Sequence, residues 1–358
     1  MKLPCTTKNS LSSIANSIKF IATKLPLKVI VASALLMGVT GSMAMDTFVL
    51  TAPSYALVAS LTKVRSSKKR VTTKKRVIAK KPVTTINTPK VQNEVKFKDA
   101  KLEAAIRRRV GIPNSKRLTL EVLQRVKDLN LNDAGITSLE GSQALRNLTK
   151  LSLMGNKISD LKPLAGLNNL RTLDLSVNQI SDVTPLAGLT NLSTLDLFYN
   201  QISDVKPLAN LTNLTSLSLF HNQISDVTPL FGLTKLTNLA MSENQISDVT
   251  PLAHLTNLTV LLLGYNKISD VKPLAGLTNL TYLFLNVNQI TDLKPLAGLA
   301  NLSTLGLGYN QITDLKPLAG LTNLSMLDSN GNPISISNCQ LLRKELRSGC
   351  GPLFVPFY

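Results

Sequence analysis

Asp174 and Asp196 are the first residues here that could do chemistry. They sit 22 positions apart in matching T-L-D-L contexts, and a neighbouring pair of carboxylates is what glycoside hydrolysis uses. Such catalysis needs surroundings that exclude water. Matching contexts instead predict adjacent rungs of an open sheet, with both acids solvated. His221 and His254 are the only histidines. They occupy different places in the sequence pattern and have no cysteine nearby, which argues against a zinc set. Asp160, Asp182, Asp204, Asp226, Asp248, Asp270, Asp292 and Asp314 all recur at one place and read as turn caps, with calcium binding the weaker alternative. Triplets such as Asn213 to Thr215 match the glycosylation acceptor pattern, but they arise from a repeated sequence and read as coincidental. There is no glycine-rich phosphate loop, no Ser-His-Asp set and no spaced Cys-His pair. The expectation is a protein without catalysis, cofactor or metal.

The elements that must carry these residues follow from the repeat. From Leu129 the chain repeats every 22 residues, and the strand leucines Leu129, Leu151, Leu173, Leu195, Leu217, Leu239, Leu261, Leu283, Leu305 and Leu327 mark ten turns without a slip. Each turn contains L-x-x-L-x-L-x-x-N. The alternating L-x-L puts every second side chain on one face of a short strand, so the leucines point inward and the intervening residues face outward. Stacked strands make a parallel sheet lining the inside of an arc roughly 45 Å long. A second column, Asn156, Asn178, Asn200, Asn222, Asn244, Asn266, Asn288, Asn310 and Asn332, holds the same spacing. An amide offers both donor and acceptor to backbone groups turned inward at the strand exit, so this column reads as a structural asparagine ladder. Prolines at 163, 185, 207, 229, 251, 273, 295 and 317 predict short turns and 3-10 segments on the convex side. The expected fold is a leucine-rich repeat solenoid, a right-handed α/β-type superhelix with its parallel β-sheet on the concave face.

Charge divides the 358 residues unevenly. The formal net charge is +19, yet residues 99–358 hold 22 basic against 19 acidic side chains. Residues 1–44 carry five lysines and no acid, then an apolar run from Val29 to Val39, and read as a signal peptide cut after Ala44 or, alternatively, after Ala56. The apolar run is too short to span a membrane, although an uncleaved anchor borrowing Phe48 to Leu61 is the alternative. Residues 45–96 read as a basic linker. The basic stretch 62–98 suits a solvated spacer or an arm for an anionic envelope polymer or lipid, and the lack of interleaved aromatics disfavours nucleic acid. Residues 97–128 read as an N-terminal helical cap: Phe97, Leu102, Ile106 and Val110 recur at helical spacing, and a second short helix fits Thr119 to Val126. Turns 129–333 follow, then a C-terminal cap over 334–358. Cys339 and Cys350 lie in that last cap; an oxidised pair is favoured if the chain is exported, with two inert thiols as the alternative.

From Phe97 to Pro333 these residues resemble the 22-residue leucine-rich repeat of the internalins and related bacterial surface proteins. The resemblance implies an exported cap-plus-solenoid module that grips a protein through its concave face. No cell-wall sorting motif or immunoglobulin-like segment follows, so host invasion is not part of the expectation. The aromatics Phe198, Tyr199, Phe220, Tyr265, Tyr282, Phe284 and Tyr309 fall at strand-face or strand-exit positions, with His221 beside them and only Phe231 elsewhere in the repeats. Exposed aromatics on a rigid sheet bury large area at little entropic cost, so these residues are the expected protein-binding face. Asp174, Asp196 and Glu243 add acidity, which favours a partner with a basic and apolar patch. Two other functions compete: an intracellular regulatory scaffold of the phosphatase-binding repeat kind, and an envelope structural protein held by its basic segment.

Overall fold

The computed structural model describes residues 94–340. The signal segment, most of the basic linker, Cys5, Cys350 and most of the C-terminal cap lie outside them. Ten three-residue strands, β1 (Asp128–Asn130) to β10 (Met326–Asp328), form one parallel sheet in strict sequence order. Each strand leucine pairs with the strand leucine of the next coil, from Leu129 with Leu151 to Leu305 with Leu327. The 22-residue register therefore passes unbroken from sequence to sheet. Coils 2 to 9 each return along the convex side through a short 3-10 segment, such as Lys162–Leu164 and Thr184–Leu186, with proline in its first turn, and coil 1 returns through Ser142–Ala144 without one. Proline suits that place because its fixed φ is helical and no ladder partner is denied a donor.

The core is a column of identical layers. Coil 4, for example, turns in Leu192, Leu195, Leu197, Ile202, Val205, Leu208 and Leu211, all fully or almost fully buried. Stacked layers of this kind cover one another but leave the first layer open, and the N-terminal cap closes it. Helix α1 (Ala100–Val110) packs Leu102, Ala105 and Ile106 inward. Asp99 begins it, accepting hydrogen bonds from the backbone N–H groups of Lys101 and Leu102, and Gly111 ends it with φ 69°. The other carboxylate oxygen of Asp99 accepts from Thr137 N (2.7 Å), Thr137 Oγ1 (2.9 Å) and Ser138 N (3.2 Å) in coil 1. One side chain thus caps the helix and latches it to the first coil. Helix α2 (Leu120–Gln124) is shorter than the sequence suggests, with Thr119 as its N-cap.

Two sequence-based boundaries move. Phe97 is buried but precedes the helix rather than lying in it. Glu94 to Lys96, placed in the linker by composition, belong to the cap: Glu94 pairs with Thr119, and Val95 N donates to Leu118 O at 2.8 Å. Lysine-rich composition hid that short extended pairing. Among the described residues, no helix is long and apolar enough to cross a membrane.

Candidate functional site

The strand positions on either side of each leucine, together with the next exit residues, make the concave face. The backbone at the exit sets its geometry. In every coil the residue before the ladder position is left-handed: Val177, Tyr199, His221, Glu243, Tyr265, Val287 and Tyr309 have φ of 51–57°, and glycine takes that place at Gly155 and Gly331. This conformation is costly for side chains with a Cβ and worst for β-branched ones. The asparagine column holds it in place.

Every asparagine of that column works in the same way. The side-chain Oδ1 of Asn178 accepts from Ile158 N at 3.0 Å, while its Nδ2 donates to Leu153 O, Leu175 O and Ser176 O at 3.0–3.1 Å. The pattern runs from Asn156, which accepts from Ile136 N, to Asn332, which accepts from Ile312 N. Asn200, Asn288 and Asn310 are buried like Asn178, whereas Asn222, Asn244 and Asn266 are half-buried behind the broadest part of the face. Eight convex aspartates make the smaller counterpart, each accepting from the N–H two residues on, as Asp160 does from Lys162 N at 2.9 Å.

Two further ladders were not read from the sequence. Asn147, Asn169, Asn191, Asn213, Asn257, Asn279, Asn301 and Asn323 each donate Nδ2 to a carbonyl of the preceding coil, 23 residues earlier. The hydroxyls of Thr149, Ser193, Thr215, Thr237, Thr259, Thr281, Ser303 and Ser325 do the same to the carbonyl 22 residues earlier. Together they give the repeated N-L-T and N-L-S triplets a structural job. The signal was present in the periodicity of the triplets.

The structure brings most of the expected aromatics together but does not expose them all. Phe220 and Phe284 are only 2% and 4% exposed, so they do not present the contact surface expected of them. They form the floor of a second apolar cluster on the concave side, with Val260 and Leu262, and Phe198, Ala240, Tyr265 and Tyr282 pack against that floor. The run V-L-L-L at Val260 to Leu263 breaks the usual alternation and was the available clue. Tyr199 remains 39% exposed and Tyr309 61%. Tyr199 stacks on His221 with ring centres 4.2 Å apart, and His221 Nδ1 lies 2.5 Å from Glu243 Oε2. Phe198 lies against Phe220 at 5.9 Å. The Tyr309 ring covers Gly331, where any Cβ would stand 2.6 Å from it. Burial, then Glu243 and Tyr309, push the Tyr265 phenol above its ordinary pKa.

Asp174 and Asp196 also depart from expectation: both are about 95% buried rather than solvated. Flat neighbours on a tightly packed sheet cover them. Ser176 Oγ donates to Asp174 at 2.5 Å, Ser152 Oγ lies 2.9 Å from it, and Phe198 N donates to Asp196. At the far end Asn286 lies across the space left by Gly306 and reaches Asp328 with its Nδ2 at 2.7 Å. Burial raises the Asp328 pKa, partly offset by hydrogen bonds from Asn330 and Asn286. Among the described residues, no group of three or more His, Cys, Asp or Glu side chains could hold a metal ion.

Known proteins resemble this arrangement closely. Family models for leucine-rich repeats match residues 144–161, 168–210, 212–254 and 256–298. The internalin InlF of Listeria monocytogenes is 42% identical, with a TM-score of 0.67 over 70% of this chain and 74% of its own. The chain belongs to the internalin family. A second internalin of that organism, InlC2, is 43% identical with a TM-score of 0.57, over 61% of this chain and 94% of its own. More distant is the plant peptide hormone receptor RGFR1 in complex with RGF2, 28% identical with a TM-score of 0.51, over 57% of this chain and 36% of its own. A search of curated proteins returned no match. The internalin-like fold suggests protein–protein binding.

Proposed function

We propose that this chain is an exported binding or adhesion protein that holds a protein partner in the hollow of its arc. One observation carries the reading. Over the floor of Phe220, Val260, Leu262 and Phe284, the concave face offers Tyr199, Tyr265, Tyr282 and Tyr309 at 39–61% exposure or half-buried. Rigid aromatics at the centre of a preformed surface dominate interface energies. Charge narrows the partner. With Asp174 and Asp196 buried, the accessible concave strand and exit positions still hold Asp128, Asp133, Glu243 and the half-buried Asp328 against the single Lys150, which favours a basic and apolar partner surface. Export rests on the leader-like residues 1–44, and the internalin relatives support it.

The test is affinity capture with the mature protein against a variant carrying Tyr199→Asn, Tyr265→Asn and Tyr309→Asn. Asparagine tolerates the left-handed backbone of these positions, so the fold is kept while the rings are lost. A partner recovered by the first protein and lost tenfold or more by the second supports the face. Equal recovery discards it. N-terminal sequencing of the mature chain tests export: a start after Ala44 or Ala56 is expected, and a retained Met1 counts against it.

A further inference from the structure

We propose that the N-terminal cap is a second interaction surface, for an anionic lipid bilayer, independent of the concave face. The charge of the described residues is segregated. Residues 94–128 hold ten basic and five acidic side chains, whereas residues 129–340 hold 11 basic and 14 acidic ones. Every carboxylate of the cap is already engaged. Glu94 lies near Arg117, Glu103 bonds Arg107, Glu121 bonds Arg125, Asp128 lies near Lys150, and Asp99 holds the backbone latch. Lys96, Lys98, Lys101, Arg108, Arg109 and Lys116 are exposed and have no carboxylate partner among the described residues.

The placement of these cations selects the kind of partner. They come from four places, the lead-in to α1, its first turn, its last turn and the following loop, and they do not converge on a pocket that would select one small anion. A spread field of this kind matches a charged surface. Helix-dipole compensation accounts for basic residues at the end of α1, but not for Lys96, Lys98 and Lys116 outside it. Between Arg109 and Lys116 the chain presents half-buried Ile112 and exposed Pro113, beside an open hollow of about 490 Å³ that also borders Arg108. An apolar pair framed by cations can enter the headgroup layer of a bilayer, whereas a polyphosphate chain gives it nothing to bind. The sequence continues the theme. Residues 62–93 add eleven cations and no acid, and they join the cap at Glu94, beside Arg117.

The experiment compares the full chain on phosphatidylcholine vesicles with and without phosphatidylglycerol. The variant Arg108→Gln, Arg109→Gln, Lys116→Gln removes cap charge, Arg108→Lys with Arg109→Lys preserves it, and Ile112→Ser removes the apolar contact. Binding only to the anionic vesicles is expected, weakened about tenfold or more by the glutamine variant, weakened by Ile112→Ser, and kept by the lysine variant; melting curves of the charge variants stay unchanged, while Ile112→Ser, whose side chain also packs against the core, melts slightly lower but is folded at the assay temperature. Wild-type binding by the glutamine variant overturns the proposal, because residues 62–93 would then suffice. A loss that is equal for vesicles and soluble polyphosphate, with Ile112→Ser silent, also overturns it and makes the surface one for a phosphate polymer. The Tyr199, Tyr265 and Tyr309 variant should bind vesicles as the wild type does, so this surface and the concave face fail separately.

Discussion

Replacing Asn178 with alanine removes four hydrogen bonds, and simple addition would overstate the damage. Leu153 O also accepts from Asn156 Nδ2 at 2.8 Å, and Leu175 O also accepts from Asn200 Nδ2 at 3.1 Å. Each of those carbonyls is shared by two successive rungs, so each keeps a partner. The group left alone is Ile158 N–H, which bonds only Asn178 Oδ1 and belongs to a fully buried residue. An orphaned buried donor costs about 1–3 kcal/mol, so Asn178→Ala should cost about 2 kcal/mol. Asn191, in the next coil's approach, supplies the control. Its Nδ2 donates to Asn168 O at 2.8 Å from an exposed position, where water can replace it. Asn191→Ala should therefore cost less than about 0.5 kcal/mol. Urea denaturation at constant m, followed by the shift in midpoint, separates the two. For a folded unit of this size, about 2 kcal/mol lowers Tm by roughly 4–8 °C. Equal losses for the two substitutions, or none for Asn178→Ala, would refute the shared-acceptor argument.

Three other perturbations probe separate parts of the structure. Val177 is β-branched and sits at φ 55°, so Val177→Asn should raise stability by about 1 kcal/mol; a lower melting temperature would show that its packing outweighs its strain. Ser242 Oγ is fully buried with no hydrogen-bond partner among the described residues, so Ser242→Ala should be neutral or stabilising by up to about 1 kcal/mol, and a clear loss in calorimetry would reveal an interaction not accounted for. Burial opposes ionisation of Asp99, but hydrogen bonds from Thr137, Lys101 and Ser138 outweigh it and hold the pKa at about 2, below the ordinary 3.8. Because the folded value is the lower one, the stability this carboxylate adds is present above pH 4 and lost as pH falls toward 2. Wild type should lose more stability than Asp99→Ala across that window, and parallel melting curves would remove Asp99 from the acid response.

The repeat, the strand leucines, the amide column and the convex prolines were all legible in the sequence, because each depends on spacing alone and spacing survives folding. Burial on the concave face was not. Phe284 occupies an outward strand position and Phe220 a strand-exit position, both of which an isolated coil would expose. Val260 and Leu262 fill the rung beside Phe284, and on the other side Ala240 is the small rung between them and Phe220; this cross-coil packing has no signature in any single repeat. Asp174 and Asp196 misled in the same way: alternation predicts the face but not how closely Ser152, Ser176 and Phe198 close over it. The N-L-T triplets match a glycosylation acceptor pattern, and that likeness masks their plainer role of joining coil to coil.

Because each ladder carbonyl is gripped from its own coil and from the next, no coil is chemically distinguishable from an insertion of another like it. A gene duplication or deletion of one whole 22-residue unit would rejoin every amide to a waiting acceptor, whereas a change of 21 or 23 would strand the entire downstream set. The scaffold can therefore change its reach in quanta without relearning how to fold. Variation in length becomes nearly neutral, and selection is left free to act on the few side chains that line the bend.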